Sequence, residues 1–173
     1  MKLRRVFNVI SLCLISVNLA YATTPSLVNS DSCTQLRGSS APFILALKKG
    51  ENLNQSILQC ANDADLAGAS VSGLGAIENP TLHYYDDKTE QNVTRYFPGL
   101  FELVSLNGNV FFAKGKREVH LHAGLSGHDY HMFGGNVDNA TVGVLAEVTI
   151  VPLQGPLIRK QDKQSGFDVL SAS

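Results

Sequence analysis

The stretch Phe101-Glu102-Leu103-Val104-Ser105-Leu106-Asn107-Gly108-Asn109-Val110-Phe111-Phe112 decides the architecture. Apolar residues that suit a pleated, half-buried strand flank an Asn-Gly pair, the dipeptide that two-residue hairpins favour because both central positions need positive φ. The run therefore predicts strand, tight turn, strand. Working outward, the same texture recurs. Thr81 to Tyr85 leads into an Asp86-Asp87-Lys88 turn, Glu118-Val119-His120-Leu121-His122 alternates cleanly, and Thr141 to Val151 reads as a long strand ended by Pro152. Phe43 to Leu47 and Ala69 to Leu74 supply further strands.

One segment alone carries a helical period. Asn52 can cap a helix with Gln55 at its third position, and Leu53, Ile57, Ala61 and Ala64 then share a face before Asp65 and Gly68 end it. One helix among roughly seven strands predicts an α+β fold, a main helix packed on a mostly antiparallel sheet.

The amino-terminal residues read differently. Met1-Lys2-Leu3-Arg4-Arg5 is basic, Val6 to Leu19 is apolar, and Ala20-Tyr21-Ala22 offers small residues for cleavage, so residues 1–22 read as a signal peptide cut after Ala22. The apolar run is shorter than the roughly 20 residues a bilayer needs. No membrane association is expected once it is removed, and the destination is periplasmic or secreted. Residues 23–41, rich in Ser, Thr and Gly, read as a flexible lead-in, and 42–171 as a single domain. The leader takes three of the 14 Lys and Arg with it, leaving 11 against 15 Asp and Glu and a formal charge of −4. An acidic surface repels phosphate backbones, so nucleic acid is not an expected partner. Cys33 and Cys60 remain in the domain, either bridged in an oxidising compartment or packed as two small apolar thiols.

Chemistry concentrates in histidine. Four of the five, His120, His122, His128 and His131, fall within twelve residues. Residues two apart on a strand point to one face, so His120 and His122 project together, the arrangement in which two imidazoles chelate zinc or a similar divalent transition metal. The alternative is a polar pair on the solvated face of an edge strand. A third metal ligand would come from Asn136, after the Gly134-Gly135 turn, or from the loop carrying His128, Asp129 and His131, with His131 the main substitute. His83 reads as structural. Catalytic residues are not assignable, since no nucleophile elbow, His-Glu-x-x-His or phosphate-binding loop occurs; Glu102 and Glu147 are the carboxylates that a metal-dependent hydrolase or lyase could use.

Taken in order, Phe43 to Leu47, Gly50-Glu51-Asn52-Leu53, Ser105-Leu106-Asn107-Gly108-Asn109, His120-Leu121-His122-Ala123, Gly134-Gly135 and Glu147-Val148 resemble the plants and prokaryotes conserved (PPC) domain. That domain is of unknown function and is also found in plant AT-hook proteins. The likeness runs from about Ala41 to Leu170 and includes Arg159-Lys160-Gln161-Asp162 and Gly166 to Leu170 as the closing segment. It implies a compact α/β domain, a homotrimer, and a metal site made by the two histidines of His-Leu-His and a third after the Gly-Gly pair, where this chain has Asn136. In the plant proteins a separate Arg-Gly-Arg-Pro hook enters the minor groove, and this sequence lacks that hook. The resulting expectation is an exported, bacterial-type member acting as a homo-oligomeric binding module for a metal ion or small anionic ligand. Its alternatives are a metal-dependent hydrolase or lyase and, by family analogy, a DNA-associated protein.

Overall fold

The structure is a computed structural model describing residues 27–171; the proposed signal peptide lies outside the described residues. In chain order the elements are β1 (Leu27–Asn29), a 3-10 helix (Ser30–Leu36), β2 (Phe43–Lys48), α1 (Leu53–Asp63), β3 (Ala69–Asp86), β4 (Gln91–Tyr96), β5 (Leu100–Ala113), β6 (Lys116–Ser126), β7 (Met132–Pro152), β8 (Ile158–Gln161) and β9 (Asp168–Ser171).

Asn107-Gly108 makes no turn. It lies inside β5, where Asn107 is opposite Ser72 of β3 on one side and His122 of β6 on the other. Gly108 is there for proximity: a Cβ on it would sit 2.0 Å from the His120 carbonyl oxygen. Gly134-Gly135 likewise sits within β7, and a Cβ on Gly134 would lie 2.3 Å from the Ala123 carbonyl oxygen. Both dipeptides read as turn signals are places where neighbouring backbones approach closely.

Long, uninterrupted strands overturn the expected architecture. The chain is mostly β, with nine strands in one mixed sheet ordered β1-β2-β7-β3-β5-β8-β9, β4 on β3, and β6 between β5 and β7. β1–β2 and β5–β8 pair parallel, the rest antiparallel. β3, β5, β6 and β7 also pair in a closed cycle. A twisted sheet that curls onto itself buries one of its own faces, so it needs no helical layer. Val71, Leu106, Leu121, Val148 and Ile150 from these strands are all buried, as is Leu45 of the adjoining β2. An α+β sandwich of one helix on a mostly antiparallel sheet is therefore not what the chain forms.

The helix lies where its period placed it, but it is a short element, not a layer. Asn52 caps it, its side-chain oxygen accepting from Gln55 N at 2.9 Å, and Leu53, Ile57, Cys60 and Ala61 are its buried side. A Cys33–Cys60 disulfide ties it to the 3-10 helix. Part of the stretch read as a flexible lead-in is thus structured: β1 adds a strand beside β2, and Val28, Cys33 and Leu36 are buried. At the carboxy-terminal end of α1, close to that bridge, Arg117 of β6 donates to Leu66 O, Asn62 Oδ1 and Asp65 Oδ1. No helix among the described residues is long and apolar enough to cross a membrane.

Candidate functional site

Three adjacent strands bring a polar row together. His122 of β6 stands opposite Asn136 of β7, which stands opposite His83 of β3. Residues directly opposite in an antiparallel pair share a face, as do residues two apart along a strand. His120 and Asp138 therefore join the row, while the intervening Leu82, Leu121 and Val137 are buried on the other face. The row lines an open cleft of about 1000 Å³ whose walls include Asn54 and Leu58 of α1, Phe111 of β5, and Arg159 and Phe167 of the carboxy-terminal hairpin.

β8 is placed by two backbone pairs with β5, Phe112 with Ile158 and Ala113 with Arg159. That docking lays the Arg159 guanidinium 4.4 Å from the centre of the Phe111 ring and brings its Nη2 to 2.7 Å from His120 Nδ1. Guanidinium only donates, so Nδ1 must accept, and the neutral ring carries its proton on Nε2. Around His120 Nε2 lie His122 Nε2 at 3.1 Å and the Asn136 amide nitrogen at 2.8 Å. His122 Nε2 accepts, and Asn136 satisfies the same proton by turning its amide oxygen toward it. Burial, then the Arg159 charge, then His122 and His83, hold the His120 pKa down at about 4. The ring is neutral over the ordinary pH range.

Arg159 is poorly partnered. Arg117, stacked on Phe112, has a carboxylate at 3.0 Å. Arg159 has no carboxylate within 4.0 Å among the described residues; its Nε–H is buried without a partner, and its other contact is the Asp168 carbonyl at 3.5 Å. Burial moves its pKa down, while the charges of Asp168 and Glu118, beyond direct contact, act the other way. His83 has the opposite arrangement: Nδ1 donates to Asp138 Oδ1 at 2.5 Å, leaving Nε2 as an acceptor.

Of the residues singled out in the sequence, His120, His122 and Asn136 come together. His131 does not: it is 89% exposed, bonded to Asp129 at 3.2 Å, and neither residue lines the cleft. His128 is also outside the cleft, and Glu102 and Glu147 are exposed on the sheet away from it. The sequence reading missed His83, Asp138 and Arg159. Period-2 alternation beside Leu82 was the one available sign for His83.

The donor set does not suit the metal that the resemblance implies. A metal-binding imidazole offers one nitrogen to the ion and donates the other N–H to an acceptor. His120 has a donor at Nδ1 and a proton on Nε2, and the third position is an amide. No group of three or more His, Cys, Asp or Glu among the described residues is arranged to hold a metal ion.

This mostly-β domain with a polar row in an open cleft matches a known class. Residues 35–154 match the Plants and Prokaryotes Conserved (PCC) domain, and the chain belongs to that family. A PPC protein of Pyrococcus horikoshii is 26% identical with a TM-score of 0.71, covering 77% of this chain and 92% of its own. A metal-containing protein of Archaeoglobus fulgidus is 29% identical, also with a TM-score of 0.71, covering 76% of this chain and 94% of its own. AT-hook motif nuclear-localized protein 13 of Arabidopsis thaliana is 29% identical over 129 residues, covering 72% of this chain; the match spans 29% of the plant protein's length. Membership fixes the fold, and the function has to be argued from the site.

Proposed function

We propose that the chain is an exported, self-associating binding module whose cleft takes a small anionic ligand on Arg159. The guanidinium carries this reading: partly buried over Phe111, it has no carboxylate partner and spends an N–H on a neutral imidazole. Asp168 and Glu118 offset part of the cost of withdrawing this cation from water but neither pairs with it directly, so a ligand carboxylate or phosphate would add the charge-assisted hydrogen bonds it lacks. His83 Nε2 and His122 can then match the ligand's neutral polar groups. Export, to the periplasm or beyond, is supported by the pattern of residues 1–22 and by the Cys33–Cys60 bond, which oxidising compartments maintain. Self-association is supported by exposed Ile44, Leu74 and Val104, which line one groove on the outer face of the sheet.

Calorimetric titration of the folded chain with inorganic phosphate and a panel of small carboxylates tests the ligand class. Saturable binding is expected for at least one, weakened about tenfold or more in Arg159→Met. Equal binding by both proteins, or none by the wild type, overturns the reading.

Association with DNA is the second reading, and the plant AT-hook relative favours it. An Arg159 poised for an anion can contact a backbone phosphate, although the acidic balance of the chain opposes a broad electrostatic footprint. Fluorescence anisotropy with duplex DNA at low and at physiological salt separates the two. Binding that falls steeply with salt, and falls again in Arg159→Met, selects DNA; its absence at low salt removes this reading.

A further inference from the structure

We infer that in this chain the His120–His122 pair is locked as a hydrogen-bonded network closed to divalent metal ions, and that Arg159 and Asn136 together turn the key. The argument follows the protons. Arg159 Nη2 at 2.7 Å from His120 Nδ1 claims that lone pair. The ring's single proton is then forced onto Nε2, the atom that an ion shared with His122 would need. The 3.1 Å between the two Nε2 atoms would suit two ligands of one tetrahedral ion as well as a donor and an acceptor, so it is the Arg159 contact at Nδ1 that puts a proton where the ion would sit. Asn136 completes the closure. It stands in register with His122 with its amide nitrogen 2.8 Å from His120 Nε2, and a half-turn of that amide sets its oxygen to accept the ring proton where a third imidazole would otherwise stand.

The supporting shell has the wrong polarity as well as the wrong ligand. An acceptor beside His120 Nδ1 would push the proton to Nδ1 and free Nε2; a guanidinium does the reverse and adds a like charge beside any cation. His83 shows the polarity a metal would require, since its Nδ1 faces Asp138 Oδ1. The two imidazoles thus meet opposite polarity at Nδ1 in one cleft, a carboxylate at His83 and a guanidinium at His120. This inference does not depend on which ligand the cleft takes.

Two measurements on the metal-free, folded chain test it. Long-range proton–nitrogen NMR correlations should place the His120 proton on Nε2, and zinc titrated against a competing chelator should show no stoichiometric uptake. Asn136→His combined with Arg159→Gln, where the introduced amide oxygen can accept from Nδ1, should take up one zinc per chain, with affinity raised about 100-fold or more. A wild-type protein that binds one zinc per chain and loses it in His120→Ala overturns the inference, as does a His120 proton on Nδ1. Should the double variant fail to fold, the wild-type tautomer decides the matter alone.

Discussion

His120 shows how a single ring can be fixed by its neighbours. Arg159 takes one nitrogen, Asn136 and His122 crowd the other, and protonating the ring would require breaking at least one of these contacts. Its pKa in the fold is about 4, against 6.5 for the free side chain, so the unfolded chain binds the proton first on acidification. The linked stability is fully present above pH 6.5 and is lost as pH falls toward 4, muted by the ring's partial contact with solvent. Urea denaturation between pH 7.5 and 4 should show a steeper loss in the wild type than in His120→Gln. The pair was legible in the sequence because strand alternation needs no long-range knowledge: His-x-His puts both rings on one face wherever the strand lies. Arg159 was not, because it reaches His120 through two pairings of a short strand 39 positions away. His83 was not, because only the register with Asn136 shows which row it joins.

Elements defined by local chemistry were the readable ones. The Asn52 cap and the spacing of Leu53, Ile57 and Ala61 specify α1 from within a dozen residues, and the structure keeps them. Asn107-Gly108 misled because the same dipeptide serves two ends, and a local reading cannot distinguish a chain that must turn from one that must be approached closely. That difference is measurable. A methyl group on Gly108 would meet the backbone of β6, so Gly108→Ala should destabilise the protein by about 3 kcal/mol or more in chemical denaturation. A surface hairpin turn would show a much smaller loss. The disulfide belongs to this scale too. It closes a 27-residue separation and holds α1, whose Asn54 and Leu58 wall the cleft. Replacing both cysteines by serine should cost roughly 3 to 4 kcal/mol by the chain-entropy relation, read as a lower denaturation midpoint.

At the scale of the molecule, the missing information was closure. Alternating strands are compatible with an open sheet that needs a helix to cover it and with a sheet that curls around its own core; the choice depends on the length and twist of β3, β5 and β7, which local patterning does not report. Closure leaves the outer face to be accounted for, and Leu74 there is 54% exposed beside Val104 and Ile44. Light scattering behind size exclusion should find a defined oligomer for the wild type and a smaller species for Leu74→Glu; an unchanged mass would place any interface elsewhere. The carboxy-terminal hairpin has a further consequence. Residues 158–171 pair with the rest of the sheet at two backbone register positions and are otherwise held by side chains, Arg159 on Phe111 and His120, and Phe167 on Tyr85, and the same two residues line the cleft. An occupant bridging Arg159 to the β6–β7 face would rivet this hairpin more firmly than its own side chains do, so the rate at which a protease clips it becomes a gauge of occupancy that needs no knowledge of what the occupant is.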